Sequence, residues 1–302
     1  MPQNFPDIWV GRVRRNLDES DKATFLDGIS ELDVLVHAIN AGELSEKNII
    51  FVPSTEFDVE VLINFFGELS VQQYDDETIQ INLDCYRSKP TSVSDNDTIG
   101  SSYDKIDTVT KSHTRGMRVS KYKKSIHNLA PQSHDVKTPV IKATGKIEPN
   151  SEPILVNGRP ILTYNDLVDF VSLMDGDNIR LVLCKAHWHD LLRDRKNFGD
   201  QLVNYKKGEP APEILGMEIH KYSANPIYTS SLEKKPFGSI KEASDFEASV
   251  AFATENVAKK TGVTRQYYLN SKMAPRTQAS ELSYRHYFVA IPYKQIKIGA
   301  IL

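Results

Sequence analysis

The most metal-like cluster in the sequence is one cysteine and two histidines in the short segment CKAHWHDLL, namely Cys184, His187 and His189. A zinc site needs three or four such ligands converging on one point. On a helix with about 3.6 residues per turn, residues two apart point about 200° away from each other. His187 and His189 could therefore share a metal only on an extended segment. We expect a strand-to-helix junction with partly exposed histidines, and keep a metal-dependent enzyme as an alternative.

A second candidate group, Asp175, Asp177 and Asn178 in MDGDNIR, resembles the start of a calcium-binding loop. The glutamate that completes such a loop is missing, and the apolar run LVLC follows where ligands should continue. This pattern favours a polar turn. Because the sequence also lacks GxSxG, HExxH, Walker A and GxGxxG motifs, we expect neither catalysis nor a cofactor.

A third candidate group is a run of basic residues in a chain whose formal net charge is −3. The run lies in a segment that is predicted as one helix over residues 98–129, ended by Pro131. Its members are Lys111, Arg115, Arg118, Lys121, Lys123 and Lys124. Such a face could contact DNA phosphates without sequence specificity, contact acidic residues of a neighbouring subunit, or be solvated. A nucleic-acid-binding module centred on residues 105–124 is therefore a second alternative.

Helical periodicity also predicts how the N-terminal half is organised. The apolar stripe of the 98–129 helix is narrow, which indicates shallow docking. The stripe consists of Ile106, Val109, His113, Val119, Tyr122, Ile126 and Leu129. Residues 7–40 are predicted as two helices, DIWVGRVRRNL and FLDGISELDVLVHAI, the second ending at Gly42. The apolar face of the second helix consists of Leu32, Leu35, Val36 and Ile39.

Residues 48–93 are predicted as a long antiparallel hairpin. The run TIQINLDCYRS alternates, so that Ile79, Ile81, Leu83 and Cys85 point one way and the polar residues between them point the other way. The polar segment QQYDDE is predicted to form the turn. A two-stranded ribbon is marginally stable alone in water. We therefore expect the hairpin to lie on something else, such as another copy of the chain.

The C-terminal half mixes helices and strands, which makes the chain α+β. The segment LTYNDLVDFVSLM is predicted as a helix capped by Thr163, RLVLCK as a strand, and AHWHDLLRDRKNF as an amphipathic helix. EILGMEIHKYS is predicted as a strand pair hinged at Gly216, and the tail YRHYFVAIPYKQIKIGAIL as two strands around Pro292. Residues 132–160 are rich in Pro, Ser, Lys and Asn and are predicted as extended connections.

The cysteines and the apolar segments indicate the compartment. Cys85 and Cys184 lie far apart and form no CxxC motif, which suits a reducing environment. No signal peptide is evident in MPQNFPDIWVGRVRRNLDES, and no apolar stretch is long enough to span a bilayer. We therefore expect a protein that is made in a cytoplasm and has no membrane partner.

The order of these segments resembles the major capsid proteins of tailed double-stranded DNA phages, which have the Johnson-type capsid fold. IIFVP, DDETIQINLDCYRSKPTSV and SYDK resemble the E-loop and its lead into the spine helix of that family. LTYNDLVDF, RLVLCKAHWHDLLRD, GEPAPEILGMEIHKYS and SVAFATENVAKKTG resemble its A-domain. The closing SYRHYFVAIPYKQIKIGAI resembles its final strands. The similarity spans nearly the whole chain and is closest to capsid proteins of phages infecting Bacteroidota.

The resemblance implies a division of the chain into named parts. These are an N-arm at 1–47, a β-hairpin E-loop at 48–93, a P-domain with its spine helix at 94–160, an A-domain at 161–262, and closing strands at 263–302 that are shared between P-domain and A-domain. It also implies that the E-loop overlaps the adjacent subunit. Some relatives link subunits by a lysine–asparagine isopeptide bond, and Lys89 matches the donor in residue type only.

The resemblance further implies a structural protein rather than an enzyme. The expected function is self-assembly as pentamers and hexamers into an icosahedral shell that encloses double-stranded DNA. Expected partners are other copies of the chain, a scaffolding protein, a portal, a decoration protein, and the packaged DNA by nonspecific contact. The expected location is the virion, after assembly in the cytoplasm of a host bacterium.

Overall fold

The computed structural model describes residues 23–40, 46–54, 77–94, 105–148, 150–174, 176–193, 203–204, 209–210, 213–274 and 276–302. In these ranges the α-helices are α1 (Lys105–Leu129), α2 (Tyr164–Leu173) and α3 (Lys185–Arg193). Short 3-10 turns lie at Thr24–Leu26, Thr254–Asn256 and Ser271–Met273. No helix within the described ranges is both long and apolar enough to cross a bilayer.

Strands lie before, between and after these helices along the chain. The first eight are β1 (His37–Asn40), β2 (Glu46–Ser54), β3 (Glu77–Asn82), β4 (Asp84–Arg87), β5 (Thr91–Ser94), β6 (Val140–Ile141), β7 (Leu155–Val156) and β8 (Arg159–Pro160). The next six are β9 (Ile179–Leu183), β10 (Val203–Asn204), β11 (Glu209–Pro210), β12 (Glu213–Ile214), β13 (Met217–Lys221) and β14 (Ile227–Tyr228). The last five are β15 (Phe246–Glu247), β16 (Ser249–Ala253), β17 (Val257–Leu269), β18 (Ala279–Pro292) and β19 (Ile298–Ile301). The expected α+β composition is therefore confirmed.

A six-stranded sheet forms the core of the C-terminal half, in the order β12-β13-β9-β16-β19-β6. Its central strand β9 is covered on both faces, because successive side chains point to opposite sides of a sheet. Leu181 and Leu183 pack with Phe170 of α2 and Leu191 of α3. Val182 packs on the other face. This two-sided burial explains why RLVLCK is an almost continuous apolar run.

The second face of this sheet is covered by the C-terminal half of α1. Ile126 and Leu129 of this helix belong to the same buried cluster as Val250, Phe252 and Ala300 of the sheet. The helix ends at Leu129, as predicted, and its described part begins at Lys105. The sheet, α1, α2 and α3 therefore form a three-layer body.

The buried side of α1 differs from the predicted stripe. Val119 is 51% exposed, which corrects its assignment, whereas Thr110, Thr114 and Ser125 are buried. The hydroxyl of Thr114 donates to the carbonyl of Thr110 at 2.8 Å, and that of Ser125 to the carbonyl of Lys121 at 2.8 Å. Because these hydroxyls are satisfied within the helix itself, small polar residues can face the interior, and an apolar periodicity does not reveal them.

A second sheet is built on the ribbon, the name used here for the antiparallel pair β17 and β18. Strands β4 and β5 both pair with β18. The ribbon register shifts between Thr261 and Thr264, at Gly262. A Cβ atom on Gly262 would lie 2.8 Å from Leu83 Cδ2 and 2.8 Å from Tyr287 Cβ, so this position has no room for a side chain.

The predicted hairpin is confirmed for β2 and β3 only. Strands β2 and β3 pair antiparallel, with Ile50 opposite Ile81, and β1 adds a third strand. However, β3 ends at Asn82, and the chain after Leu83 pairs with β18 instead of β2. Cys85 is exposed and does not continue the buried face of Ile81 and Leu83, because the chain changes sheets between them. The predicted turn over residues 72–77 lies almost wholly outside the described residues.

The second predicted N-terminal helix is wrong. After one 3-10 turn the chain has no regular secondary structure through residues 29–36 and then enters β1. In this segment Leu32, Val34 and Val36 are half-buried, whereas Leu35 is 79% exposed. The apolar residues of this segment fit a strand-like period of two as well as a helical period. Contact with β17 favours the period of two, because the Leu32 amide donates to the Lys259 carbonyl at 2.9 Å. The first predicted helix, residues 7–17, lies outside the described residues.

Two local predictions in the C-terminal half are confirmed. The hydroxyl of Thr163 caps α2, and the Asp166 carboxylate accepts from the Thr163 amide at 3.0 Å, which completes a capping box. The hinge between β12 and β13 is a tight turn with positive φ at Leu215 and Gly216, of 53° and 77°. Glycine suits that conformation, which is typical of a two-residue hairpin loop.

Candidate functional site

The cysteine–histidine cluster at the start of α3 is a structural junction. His187 and Cys184 are both buried, whereas His189 is exposed. The Nδ1 atom of His187 lies 2.7 Å from Ser249 Oγ, and the Cys184 amide donates to the same oxygen at 3.0 Å. The hydroxyl of Ser249 therefore joins the end of β9 and the start of α3 to β16. The expectation of partly exposed histidines is wrong for His187.

Burial keeps both buried groups of this junction uncharged. It lowers the pKa of His187 to about 3 and raises the pKa of the Cys184 thiol above its usual value. Neither group is accessible to a substrate. Across the described residues, no three His, Cys, Asp or Glu side chains come together so that they could hold a metal ion.

The calcium-like group lies in a turn between α2 and β9. Asp177 and Asn178 are exposed, and Asn178 has a φ of 53°, in the left-handed region that asparagine tolerates. Asp175 lies outside the described residues. The prediction of a polar turn is confirmed for the two residues that the structure describes.

The six basic residues of α1 do not form one face. Lys111, Arg115 and Arg118 lie within about 60° of one another around the helix axis. Lys123 and Lys124 point to another side, where their ammonium groups lie 5.8 and 4.9 Å from the centre of the Phe237 ring. The prediction that the six residues form one basic face is therefore wrong. Five of them divide into an outer group, Lys111, Arg115 and Arg118, and a pair beside Phe237, Lys123 and Lys124.

Lys121, the sixth basic residue, is only 3% exposed. Its ammonium group lies 4.4 Å from the centre of the Phe288 ring and 5.1 Å from that of Tyr122. A cation over an aromatic face is attracted by the ring quadrupole, most strongly where water is excluded. Lys121 therefore holds α1 against the ribbon, and its assignment to an accessible basic face is corrected.

A lysine distant in sequence holds the C-terminal end of α1. The ammonium group of Lys234 donates to the carbonyl oxygens of His127 at 3.0 Å and of Ala130 at 2.6 Å. His127 lies in the last turn and Ala130 directly follows the helix, where the helix dipole is negative and orphan acceptors need partners. Burial, together with the nearby charge of Lys124, lowers the pKa of Lys234 to about 8. Sequence reasoning missed this contact because the partners lie more than a hundred residues apart.

Residues 23–32, which we name the arm anchor, are held mainly through their backbone. Arg180 Nη1 donates to the carbonyls of Phe25 at 3.1 Å and of Asp27 at 2.6 Å. Lys259 Nζ donates to the carbonyl of Ile29 at 2.6 Å, and Lys260 Nζ to that of Leu32 at 2.6 Å. Three cations of the body thus bind carbonyl oxygens along a segment with little regular structure. The side chains of Ala23, Phe25, Leu26 and Ile29 are buried beneath them.

A titratable group borders the start of the arm anchor. His220 Nδ1 lies 2.8 Å from Thr24 Oγ1, and His220 Nε2 lies 3.3 Å from Glu218 Oε1. Burial lowers the pKa of His220, although the charge of Glu218 opposes this shift. Burial also works against ionisation of Glu218, but the hydrogen bond and charge of Arg180, 2.7 Å away, outweigh it and lower the pKa of Glu218.

Comparison with solved structures identifies the fold. The capsid of Cyanophage P-SCSP1u is similar with a TM-score of 0.55 and 11% identity, covering 91% of this chain and 90% of that chain. The mature capsid of bacteriophage PhiM1 has a TM-score of 0.54 and 12% identity, covering 90% and 91%. A virus-like particle from Pyrococcus furiosus has a TM-score of 0.52 and 8% identity, covering 99% of both chains. No protein-family model and no curated protein matches the sequence.

These similarities extend over at least nine-tenths of each chain. The chain therefore has the tailed-phage major capsid fold, as its sequence resemblance indicates. At 8–12% identity the match is one of fold, carried by backbone arrangement and not by shared residues.

Proposed function

We propose that this chain is the major capsid protein of a tailed double-stranded DNA phage, which assembles as pentamers and hexamers into an icosahedral shell around the genome. The observation that carries the proposal is the fold, shared along nine-tenths of its length with subunits of phage capsids. A capsid subunit needs self-complementary surface and no catalytic site. The buried, uncharged state of Cys184 and His187 fits that role better than it fits a metal-dependent enzyme.

Exposed apolar residues at the end of the ribbon support assembly. Tyr267, Tyr268 and Leu269 are all exposed at the end of β17, and Met273, in the connection to β18, is 75% exposed. Clustered apolar side chains on a protein surface mark contact sites with other proteins. In a shell these residues would contact neighbouring copies, since subunits arranged head to tail close into rings.

We propose the family's parts for this chain with the extents predicted from the sequence. These are the N-arm at 1–47, the E-loop at 48–93, the P-domain at 94–160, the A-domain at 161–262 and the closing strands at 263–302. Pairing of β4 and β5 with β18 favours a narrower E-loop, with β2 and β3 as its strands. The overlap of this loop with an adjacent subunit is part of the proposal.

A shell that assembles around a genome needs further partners, for its assembly and for the packaging of DNA. We propose other copies of the chain, a scaffolding protein, a portal, a decoration protein and packaged DNA as partners, with assembly in the bacterial cytoplasm and the virion as the final location. A host among the Bacteroidota is proposed on the sequence resemblance alone. Of the basic residues, the outer group of Lys111, Arg115 and Arg118 is the one proposed to meet DNA or a neighbouring subunit.

Electron microscopy of the purified protein over a range of concentrations tests the proposal. We expect rings or closed shells, and we expect Leu269→Ser with Met273→Ser to reduce their yield while the subunit stays folded. Val136→Ser, which alters an exposed apolar residue outside the ribbon, is the matched control. A protein that stays monomeric at every concentration, also with scaffolding protein present, would contradict a shell-forming role.

A further inference from the structure

The ribbon has an outer edge on β17 that the arm anchor covers only in part. Among the described residues, β17 lies at the end of its sheet, whose order is β17-β18-β4. The arm anchor contacts this outer edge as far as Thr261, whose amide donates to Glu31 Oε2 at 3.3 Å. Beyond Thr261, over residues 263–269, no strand that the structure describes pairs with the edge. We name residues 263–269 the open edge.

The amino acids of the open edge favour pairing with another strand. Its sequence, VTRQYYL, is rich in β-branched and aromatic residues, which have a high strand propensity. Proteins commonly protect a free edge with lysine, proline or a bulge. The open edge contains neither lysine nor proline, and its register with β18 is regular from Thr264 to Leu269. Because alternate N–H and C=O groups of an edge strand point outward, this edge is a template for a strand of another chain.

The side chains of the open edge lie at the margin of the contact with α1. Arg265 and Tyr267 are exposed. Gln266 is half-buried, and Tyr284, its neighbour in β18, is buried in one cluster with Met117 of α1. Because α1 packs mainly on β18, a strand added outside β17 does not compete with the helix for the same surface.

We propose that the open edge pairs antiparallel with the open edge of a second copy around a two-fold axis, so that two ribbons join into one sheet. Such a contact is isologous, because both copies use the same surface. The inference rests on the proposed shell function and deepens it: head-to-tail contacts close one ring, and a two-fold contact then links one ring to the next. So short an edge buries less than the roughly 1,200 Å² of a standard interface, so we expect a weak contact that is reinforced by many copies in a shell.

The residues of the open edge favour one register for this pairing. A two-fold axis perpendicular to the sheet pairs the residues that lie equally far before and after it. An axis at Gln266 pairs Val263 with the partner's Leu269, Thr264 with the partner's Tyr268, and Arg265 with the partner's Tyr267. An axis one residue earlier would place two Arg265 side chains directly opposite each other, which is destabilising. An axis one residue later would extend past Leu269, where β17 ends. The Tyr267 ring already attracts a guanidinium, since Arg285 Cζ lies 5.1 Å from its centre in the same copy.

Disulfide cross-linking of the full chain tests both the pairing and its register. The background is Cys85→Ser, because Cys85 is an exposed thiol, whereas Cys184 is buried. In this background Gln266→Cys places two thiols opposite each other, where Cβ atoms are about 4.5–5.5 Å apart. After assembly and treatment with oxidised glutathione, we expect a linked dimer on a non-reducing gel.

The matched controls are Thr264→Cys and Tyr268→Cys. Each should give no dimer alone, because its two copies lie four positions out of register, about 13 Å along the strand. A mixture of the two variants should give a dimer again, since Thr264 then faces the partner's Tyr268. Equal cross-linking of Gln266→Cys and Thr264→Cys alone would overturn the proposal, because random collision would explain both.

A charge exchange across the axis gives a second test in the Gln266→Cys protein. Tyr267→Lys places a lysine opposite the partner's Arg265 on both sides of the axis, so we expect the dimer yield to fall on the order of fivefold. Adding Arg265→Glu should restore the yield, because opposite charges then face each other. A yield that neither change alters would contradict the register.

Electron microscopy of the same samples separates this inference from the proposed function. Shells whose Gln266→Cys subunits are linked support both. Shells that form while Gln266→Cys stays unlinked would overturn the pairing and leave the shell function standing. Linked dimers that never assemble further would contradict the shell function and leave the pairing standing.

Discussion

The ammonium nitrogen of Lys234 lies 2.6 Å from the carbonyl oxygen of Ala130, one residue beyond the end of α1. This contact gives the helix a cation at its negative end although the last turn itself offers only His127. It also makes the stability of the helix end dependent on pH.

We expect Lys234→Met to reveal that dependence. The pKa of Lys234 is lowered from 10.5 to about 8 in the folded protein, so between these values the unfolded chain binds more protons. The free energy of unfolding of the wild type, measured relative to the variant, should therefore rise as pH increases from about 8 to about 10.5. Urea titrations at pH 7.5, 9 and 10.5 measure this difference. A difference that stays constant over this range would contradict the assignment.

Ser249→Ala should destabilise the junction of β9, α3 and β16. The substitution leaves two buried groups, the Cys184 amide and His187 Nδ1, without the partner that they share. Leaving a buried polar group unsatisfied costs about 1–3 kcal/mol, and denaturant titration would measure the loss. Ser30→Ala, at an exposed serine, is the control and should change stability by less than about 0.5 kcal/mol. Equal effects would mean that the junction contributes nothing specific.

Acid should loosen the arm anchor through His220. Because its folded pKa is lowered, the neutral form supports docking fully above the ordinary value of 6.5, and this support is lost as pH falls below that value. The groups that face the ring are Thr24, Glu218 and, by their charges, Arg180 and Asp27. Hydrogen exchange of residues 24–32, corrected for intrinsic rates, should show weaker protection at pH 5.5 than at pH 7.5.

The matched variant for this prediction is His220→Asn, which should lose most of the pH dependence. His189→Asn, at an exposed histidine, should behave like the wild type. If protection in His220→Asn falls with pH as steeply as in the wild type, another group controls the anchor.

Gly262→Ala should destabilise the ribbon by about 1–3 kcal/mol, because the added methyl group overlaps Leu83 and Tyr287. Gly116→Ala, within α1, meets no atom within 4 Å and should stabilise the protein by about 0.5–1 kcal/mol.

Gly216→Val should destabilise the protein, as Gly262→Ala does, but for another reason. The space around Gly216 is open, and the strain comes from its φ of 77°. Thermal melting of the three variants would measure these shifts. Equal shifts for Gly262→Ala and Gly116→Ala would contradict the crowded contact.

Features fixed by neighbouring residues could be predicted from the sequence. The Thr163 cap, the buried strand β9, the β2–β3 pairing and the end of α1 depend on local patterns. The conformation of the arm anchor could not be predicted, because it depends on Arg180, Lys259 and Lys260, which lie about 150 to 230 residues away in the chain.

The candidate site was predictable only in part, for the same reason. Arg115 and Arg118 belong to the predicted basic run, but the separation of Lys123 and Lys124 from them depends on the position of Phe237 beside α1. Lys121 was misplaced because charge alone does not distinguish a solvated lysine from one lying over Phe288. The burial of His187 could not be predicted either, because the partner of its Nδ1 atom, Ser249, lies sixty-two residues away in the chain.

The way in which the arm anchor is held bears on how such chains diverge over evolution. A carbonyl oxygen is present at every position of a polypeptide, so the hydrogen bonds from Arg180, Lys259 and Lys260 do not read the identity of the residues that they hold. Substitutions in this segment are then limited mainly where side chains fill the interior, such as Phe25 and Ile29, or make polar contacts of their own, such as Thr24 with His220. Interactions of this kind allow most residues of the segment to change while its backbone path is retained.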